Sequence, residues 1–198
     1  IAIYDSTLRD GAQAQGISYS VDDKVKIVEK LDALGVHYIE AGNPGSNPKD
    51  LEFFERVRGM KLKHAKLIAF GATRKIGIKA EDDGNVRSIL AAGTDAVAIF
   101  GKSWDLHVTQ VMENRLEENL AMIRDTVSYL RRNGREAVYD AEHFFDGFQH
   151  NRDYALQTIA AAAEGGADFV VLCDTNGGSL PDDVEVVFAE AHARLPRV

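Results

Sequence analysis

A short charged segment near the start of the chain, Asp5-Ser-Thr-Leu-Arg-Asp-Gly11, contains residue types that bind metals and stabilise anions. Asp10 could ligate a hard divalent cation through a carboxylate oxygen. The adjacent Arg9 could stabilise negative charge that develops on an enolate or carbonyl oxygen. An aspartate before a glycine is also a common turn residue, so the segment by itself indicates either a metal ligand or a turn. Asp5 could serve only to hold the loop.

Other polar side chains follow apolar runs further along the chain. Glu142 is followed by His143 and could transfer a proton, hydrogen-bond a substrate or remain a solvated surface carboxylate. Thr175 follows Asp174, and its hydroxyl could donate to a substrate carboxylate or cap a turn. His107 could bind a substrate or be a capping or core histidine.

The apolar runs recur at roughly 30 to 40 residues, which is typical of βα units. We predict six strands, at residues 1–4, 38–41, 66–70, 96–100, 137–139 and 168–173. Amphipathic stretches between them predict helices, and Ser20 with Asp23 resembles a capping box at one helix start. Five glycines are placed where helices should end: Gly35, Gly59, Gly93, Gly134 and Gly166.

The strand pattern favours a parallel α/β fold. The run Phe169-Val-Val-Leu172 is apolar on both faces, as in a parallel sheet that helices cover. No strand is followed by the glycine-rich turn of a dinucleotide-binding sheet, which favours a (β/α)8 TIM barrel over a doubly wound sheet. Because such a barrel needs about 250 residues and eight units, we expect an incomplete barrel with about six βα units. We predict one catalytic barrel domain over residues 1–198, truncated before strands seven and eight.

Active sites of parallel barrels lie at the carboxyl ends of the strands. Polar residues that follow all six predicted strands are therefore expected to meet there, and this convergence is stronger evidence for an enzyme than any single motif. Four other histidines are expected at surface or helix positions away from the site: His37, His64, His150 and His192.

Composition excludes several classes of protein. The chain has 198 residues, is 45% hydrophobic and 27% charged, and carries a net charge of −8, which argues against a non-specific nucleic-acid binder. The single cysteine, Cys173, excludes an intrachain disulfide and fits a reducing compartment. No apolar run approaches the ~20 residues of a membrane helix. We expect a cytoplasmic protein with small-molecule partners, without a signal peptide, nucleic acid or membrane.

Several segments together resemble the 2-isopropylmalate synthase/homocitrate synthase family within the DRE-TIM metallolyases, over the whole chain. They are the loop that ends at Gly11, Ile39-Glu-Ala-Gly42, Ala69-Phe70 and Asp174-Thr-Asn-Gly177. Three longer segments resemble the (R)-citramalate synthase branch of that family: Phe100-Gly-Lys-Ser-Trp-Asp-Leu-His-Val108, Tyr139-Asp-Ala-Glu-His-Phe-Phe-Asp-Gly147 and Cys173-Asp-Thr-Asn-Gly-Gly178.

The resemblance implies an acyltransferase that condenses acetyl-CoA with a 2-oxo acid, in branched-chain amino-acid biosynthesis. In this branch the acid is pyruvate, and hydrolysis of the thioester releases (R)-citramalate and CoA. The resemblance also implies a divalent metal, which could be Mg, Mn or Zn, acetyl-CoA as co-substrate, and a homodimer.

The resemblance further implies roles for individual residues. Arg9 would stabilise the enolate and keto oxygens, and Asp10 would ligate the metal. Glu142 and Thr175 would contact the keto acid or assist proton transfer. The family's His-x-His metal pair lies on strand seven, which is expected beyond Val198.

Four further residues are candidates for substrate binding. Gln13 would lie near the acyl donor. Asn43 and Phe100 would line the pocket that sets the size of the acceptor, and His107 follows strand four.

Other functions stay open at the level of sequence. Within the family, 2-isopropylmalate and homocitrate synthases differ in their acceptor. A metal-dependent retro-aldol lyase, of the hydroxymethylglutaryl-CoA lyase or 4-hydroxy-2-oxovalerate aldolase type, shares the Arg-Asp-Gly loop on the same barrel. A catalytically inert barrel or binding module is the non-enzymatic alternative.

Overall fold

The computed structural model describes residues 1–195, in which strands and helices alternate. The strands are β1 (Tyr4–Asp5), β2 (Tyr38–Glu40), β3 (Lys66–Ala72), β4 (Ala96–Lys102), β5 (Glu136–Glu142) and β6 (Phe169–Leu172). The helices are α1 (Val21–Leu34), α2 (Pro48–Arg56), α3 (Gly84–Ala91), α4 (Leu116–Arg132), α5 (Phe144–His150), α6 (Arg152–Gly165) and α7 (Pro181–Arg194). The end of the predicted domain, residues 196–198, lies outside the described residues.

The strands follow one another in the sheet in chain order, from β1 to β6. Tyr4 is in register with Tyr38 in the parallel β1–β2 pair, and Ile39 is in register with Leu67 in the parallel β2–β3 pair. The β5–β6 pair is also parallel. Parallel neighbours in chain order, with helices between them, are typical of a (β/α) barrel. The predicted class, α/β with six units of a TIM-type barrel, is confirmed.

The residues group into two compact units. The first unit comprises residues 1–71 and 84–98, and the second comprises residues 72–83 and those from 99 onwards. In the first unit α1 contacts α2, and the buried core includes Val28, Ile39, Phe53, Ile68 and Ile89.

In the second unit α6 packs against both α4 and α5. Its core includes Ile123, Leu130, Tyr139 and Ile159, each buried. The α4–α6 approach is close because α6 is rich in alanine and ends at Gly165, where a Cβ would lie 2.8 Å from the backbone oxygen of Arg124.

Local sequence signals at the helix ends are confirmed. Ser20 Oγ accepts the backbone N–H of Asp23 at 3.1 Å, and the Asp23 carboxylate accepts the N–H of Ser20 at 3.0 Å, which completes the predicted capping box. Gly35 and Gly166 cap α1 and α6 in the left-handed conformation, with φ of 87° and 93°. The other three glycines, Gly59, Gly93 and Gly134, also have positive φ just after a helix.

Strand β6 differs from its prediction. Phe169 and Val171 are 42% and 37% exposed, so one face of the strand is not covered by the described residues. The expectation that helices cover both faces of this run is therefore wrong here, because Val170 and Leu172 face α6 and α7, whereas Phe169 and Val171 lie on the opposite face. Within residues 1–195, no helix is both long enough and apolar enough to cross a membrane.

Candidate active site

In the first unit, Arg9 is fixed against a buried glutamate. Its Nε donates to Oε1 of Glu40 at the end of β2, and its Nη1 donates to Oδ1 of Asp10 at 3.1 Å. The guanidinium carbon lies 3.9 Å from the centre of the Phe70 ring, within cation–π range. The Tyr4 hydroxyl donates to Oε2 of Glu40. These residues meet because β1, β2 and β3 are parallel neighbours, and together they form the arginine cluster.

Glu40 sets the electrostatics of the arginine cluster. Its side chain is fully buried, and burial raises the pKa of Glu40 above its ordinary value, while the charge of Arg9 and the Tyr4 hydrogen bond act in the opposite direction. A buried carboxylate is costly unless a cation and hydrogen bonds compensate for the lost water. Arg9 is thus oriented by the protein, and its guanidinium is a fixed positive charge that suits a developing anion.

Asp10 lies at the exposed edge of the arginine cluster, with 65% of its side chain accessible. Oδ1 accepts from Arg9, while Oδ2 accepts no hydrogen bond from the described residues. Within residues 1–195, no three His, Cys, Asp or Glu side chains are grouped so as to hold a metal ion. Asp10 therefore fits a metal as a single ligand, and its assignment stays a prediction. Gln13 is exposed at the end of a short 3-10 turn, and its role stays a prediction too.

Asp5 has a structural contact of its own. Its carboxylate accepts the backbone N–H and the hydroxyl of Thr7, each at 3.0 Å. Asp5 therefore holds the loop that carries Arg9 and Asp10.

A buried ion pair holds the loop after β2. Lys24 on α1 donates to Asp50 on α2 and to the carbonyl of Ala41 at 2.8 Å, and Asp50 also accepts the N–H of Asn43 at 2.8 Å. Gly42 has a φ of 140°, and a Cβ there would lie 2.4 Å from the Asp50 carboxyl carbon, so only glycine fits. The pair fixes the backbone at Asn43, whose predicted contact with substrate stays a prediction.

In the second unit, a second glutamate ends a strand and pairs with a cation. Glu142 at the end of β5 forms an ion pair with Lys102 at the end of β4. The two side chains are 26% and 23% exposed. The strand ends are also joined by the N–H of Ser103, which donates to the Glu142 carbonyl at 3.0 Å. Glu142 is therefore accessible to a ligand.

Aromatic and imidazole rings pack around Trp104 in the same unit. The centre of its ring lies 4.8 Å from that of His107 and 5.9 Å from that of His143, and the two imidazoles are 4.5 Å apart. His150, expected away from the site, lies 6.4 Å from the Trp104 ring. The name histidine cluster refers to Lys102, Trp104, His107, Glu142 and His143.

The electrostatic surroundings of His107 favour its neutral form. Burial lowers the pKa of His107 below its ordinary value, and the charges of His143 and Lys102 lower it further, while Glu142 acts in the opposite direction. A neutral imidazole donates through one ring nitrogen and accepts through the other. His107 is thus suited to hydrogen-bond a ligand.

His143 precedes α5 in the left-handed conformation, with φ of 55° and ψ of 37°. This conformation costs a residue with a side chain about 1–2 kcal/mol. Its N–H donates to Oγ1 of Thr175 at 2.9 Å, and its Nδ1 lies 2.8 Å from Oδ2 of Asp146. Helix α5 approaches the end of β4 because Gly147 has no side chain, and a Cβ there would lie 2.2 Å from the Ser103 carbonyl oxygen.

A cavity of about 510 Å³ opens beside Phe100 and Lys102 in the second unit. Its lining is mostly apolar and includes Ile76, Ile78, Met112 and Met122. The volume is in the range of small-ligand sites. The structure places Phe100 at this cavity, and its influence on acceptor size stays a prediction.

The structure thus groups Arg9 with Asp10, and it brings Thr175 and His107 into contact with His143. Sequence reasoning placed Glu40 and Lys102 among the polar residues at strand ends without assigning them a role, and it did not select Asp146. Two signals in the sequence could have indicated these pairings. One is the opposite charges that end or follow adjacent strands, and the other is Asp146, three residues after His143 at a helix start.

Solved structures with a similar fold are barrel enzymes. The hydroxymethylglutaryl-CoA lyase of Bacillus subtilis matches 99% of this chain and 65% of its own chain with a TM-score of 0.78 and 19% identity. The corresponding lyase of Pseudomonas aeruginosa matches 99% of this chain and 65% of its own with a TM-score of 0.77 and 18% identity. At these identities the likeness establishes the fold, which is that of the parallel α/β barrel enzymes.

Curated relatives share more of the sequence. The (R)-citramalate synthase of Aquifex aeolicus is 56% identical over 195 residues, which cover 98% of this chain and 37% of the relative. The homocitrate synthase of Saccharolobus solfataricus is 31% identical over 198 residues, which cover 100% of this chain and 41% of the relative. The HMGL-like family model matches residues 1–198, and the chain belongs to this family. The predicted resemblance to citramalate and homocitrate synthases is confirmed, and the chain spans about two fifths of these relatives' length.

Proposed function

We propose that the whole protein is an acyltransferase that condenses acetyl-CoA with pyruvate, after which water hydrolyses the thioester and (R)-citramalate and CoA are released. The observation that carries the proposal is the 56% identity with the Aquifex aeolicus (R)-citramalate synthase across 98% of this chain. Identity with the homocitrate synthase of Saccharolobus solfataricus is lower, at 31%, which favours pyruvate over a longer acceptor.

The arginine cluster supports the carbon–carbon bond-forming step. Loss of a proton from the acetyl methyl group places negative charge on the thioester oxygen, and attack on the keto carbon moves charge to the keto oxygen. Arg9, oriented by Glu40 and Phe70, offers a preorganised positive charge for these oxygens. A bound divalent metal would polarise the keto oxygen. Asp10 would be one of its ligands. Within residues 1–195, no group of three His, Cys, Asp or Glu side chains is placed to hold the metal.

The histidine cluster supports binding of the keto acid and movement of protons. Glu142 is accessible and can accept or return a proton, and His107 can hydrogen-bond a ligand in its neutral form. Thr175 offers a hydroxyl to the substrate carboxylate. Phe100 and Asn43 would limit the size of the acceptor, and Gln13 would contact the acyl donor.

A retro-aldol lyase on the same barrel is the alternative function, because the Arg9-Asp10-Gly11 loop is also compatible with it. The hydroxymethylglutaryl-CoA lyase of Bacillus subtilis shares 19% identity with this chain, so this likeness concerns the fold alone. We therefore retain the lyase as an outcome of the test.

The test is an assay of CoA release by the purified whole protein, followed with a thiol reagent. Acetyl-CoA is supplied with pyruvate, 2-oxoisovalerate or 2-oxoglutarate, and hydroxymethylglutaryl-CoA is supplied alone in a parallel sample. We expect CoA release that depends on pyruvate. Release with 2-oxoisovalerate or 2-oxoglutarate only would reassign the acceptor, and cleavage of hydroxymethylglutaryl-CoA without condensation would establish the lyase.

Metal dependence is tested with a chelator and with one variant. Chelation is expected to stop turnover, and addition of Mg, Mn or Zn one at a time identifies the metal that restores it. Asp10→Ala is expected to abolish metal-dependent turnover because its carboxylate is the proposed ligand. Full activity of Asp10→Ala would refute the metal assignment.

A homodimer and a cytoplasmic location complete the proposal. Light scattering of the purified whole protein is expected to give twice the mass of one chain. Fractionation of cells is expected to recover the protein with cytoplasmic markers, and recovery in the membrane fraction would contradict this location.

A further inference from the structure

Asp146 connects the ends of two adjacent strands in the second unit. Its Oδ2 lies 2.8 Å from Nδ1 of His143, directly after β5. Its Oδ1 accepts from the side-chain amide of Asn176, after β6, at 2.9 Å. Between these contacts lies Thr175, whose Oγ1 accepts the backbone N–H of His143 at 2.9 Å. The Asp146 carboxylate therefore holds His143, which donates to the Thr175 hydroxyl, and Asn176, which follows Thr175 in the chain.

The direction of these hydrogen bonds leaves the Thr175 hydroxyl free to donate. A backbone N–H can only donate, so Oγ1 is the acceptor in its bond with His143. Among the described residues, Thr175 forms no bond that uses its own hydroxyl hydrogen. Thr175 is also exposed. A carboxylate, which only accepts hydrogen bonds when ionised, is the complementary ligand group.

Contacts with Thr175 and Asp146 hold His143 in its unusual backbone conformation. Strained conformations persist where surrounding contacts fix them, and here the fixed atom is the N–H that reaches Thr175. Burial raises the pKa of Asp146, but the hydrogen bonds from His143 and Asn176 outweigh it and hold the pKa below its ordinary value. Asp146 is thus a carboxylate at neutral pH, and Nδ1 of His143 carries the hydrogen in their bond.

We propose that Asp146 is a positioning residue that, through His143 and Asn176, directs the Thr175 hydroxyl to the carboxylate of a short 2-oxo acid. The inference rests on the proposed function for the identity of the acid. Asp146 itself does not touch the substrate. Its removal should therefore weaken binding of the keto acid and leave binding of the acyl-CoA unchanged.

Asp105 provides a matched control in the same unit. Its carboxylate also accepts from one histidine and one asparagine, with Oδ1 3.1 Å from Nδ1 of His150 and Oδ2 2.8 Å from Nδ2 of Asn151. These hydrogen bonds outweigh the effect of burial and lower the pKa of Asp105 as well. Among the described residues, no hydrogen bond joins Asp105 to His143, Thr175 or Asn176, so Asp105→Asn removes an equivalent charge and leaves the hydrogen bonds of the proposed positioning in place.

The experiment measures equilibrium binding of pyruvate and of CoA to the whole protein by calorimetry. Steady-state kinetics on the same protein gives the KM of each substrate. Asp146→Asn and Thr175→Val are each expected to weaken pyruvate binding about tenfold, as for loss of one hydrogen bond to a charged group. CoA binding should stay within about twofold, as should both affinities in Asp105→Asn. The double variant Asp146→Asn/Thr175→Val should be no weaker than Thr175→Val alone, because both changes remove one interaction.

Equal weakening by Asp146→Asn and Asp105→Asn, or additive effects in the double variant, would overturn the inference. If Asp146→Asn fails to fold, the test is His143→Gly, in which glycine keeps the left-handed backbone without strain but removes the imidazole that Asp146 holds. This variant should weaken pyruvate binding, and unchanged binding would overturn the inference. The proposed function fails separately, when the wild-type protein binds pyruvate but shows no pyruvate-dependent release of CoA.

Discussion

Glu40 ends β2 in the first unit and Glu142 ends β5 in the second, and each forms an ion pair with one cation. The Glu40 side chain is 0% exposed and its partner Arg9 is also held against Phe70, whereas the Glu142 side chain is 26% exposed. The same pairing therefore occurs once with a fully buried carboxylate and once with a carboxylate that solvent reaches.

The difference separates two tasks in catalysis. A buried pair gains a fixed geometry and loses the freedom to exchange protons with solvent, which suits a group that stabilises charge. An accessible pair is weaker but can take up and release protons and contact ligands, which suits acid–base work and binding. We therefore expect mutations in the arginine cluster to affect stability and turnover, and mutations in the histidine cluster to affect mainly turnover.

Between the two ion pairs, the largest expected effect is that of Arg9→Lys. Lysine keeps the charge but cannot reproduce the planar fork that binds Glu40 and Asp10. We expect kcat to fall by about 10²–10³-fold, as for loss of one preorganised donor at an oxyanion. Steady-state kinetics with pyruvate measures this fall in kcat. The matched change Lys102→Arg keeps a cation beside Glu142 in a partly exposed pair, so its effect on kcat should be smaller. Equal losses in both variants would show that the geometry of Arg9 has no special role.

Glu40→Gln tests the buried pair through stability. The change leaves the Arg9 charge without its buried partner, and removing one member of such a pair costs about 3–5 kcal/mol. Because 20% of the Arg9 side chain is exposed, we expect the lower end, a loss of about 3 kcal/mol in the free energy of unfolding. Urea denaturation measures this loss. A loss below about 1 kcal/mol would show that solvent reaches the pair.

Glu142→Gln is expected to give the opposite result. The free energy of unfolding should change by less than about 1 kcal/mol, because Lys102 remains solvated. We expect kcat to fall by about 10²-fold, because general acid–base catalysis typically contributes this much or more. Denaturation and kinetics on the same protein samples measure both quantities. A variant that loses stability but keeps its kcat would assign Glu142 a structural role.

The smallest expected effect is a pH dependence from His107. Since the pKa of His107 in the folded state is below its ordinary value of 6.5, the unfolded chain binds the proton more readily. The contribution of His107 to the free energy of unfolding is complete above its ordinary pKa of 6.5. It decreases as the pH falls from 6.5 through the lower pKa that His107 has in the folded state. As the pH falls through this range, the free energy of unfolding should decrease less for His107→Gln than for the wild type. Denaturation at a series of pH values measures the difference, and identical pH profiles would contradict it.

Sequence reasoning predicted the parts of the fold that depend on local signals. The capping box at Ser20 and the left-handed glycine after α1 are confirmed because each depends on neighbours within one or two turns of chain. The exposure of Phe169 was not predicted, because it depends on what covers β6 and not on the strand's own sequence.

For the site, the sequence predicted which strand ends carry polar groups but not how they pair. The burial of Glu40 against Arg9 depends on the pairing of β1 with β2, which no local signal specifies. The left-handed conformation of His143 is unusual for a residue with a side chain and is accounted for by Asp146 and Thr175, which approach only in the folded chain.

The central claim, that the whole protein forms a carbon–carbon bond between an acetyl group and pyruvate, is tested most directly by isotope labelling. The purified protein is incubated with pyruvate and acetyl-CoA that carries 13C at the methyl carbon, and the product is observed by 13C NMR. We predict that the label appears in the methylene carbon of (R)-citramalate, and that Arg9→Lys slows its appearance by about 10²–10³-fold. Label that stays in acetyl-CoA or free acetate, with no new carbon–carbon bond, would contradict the claim.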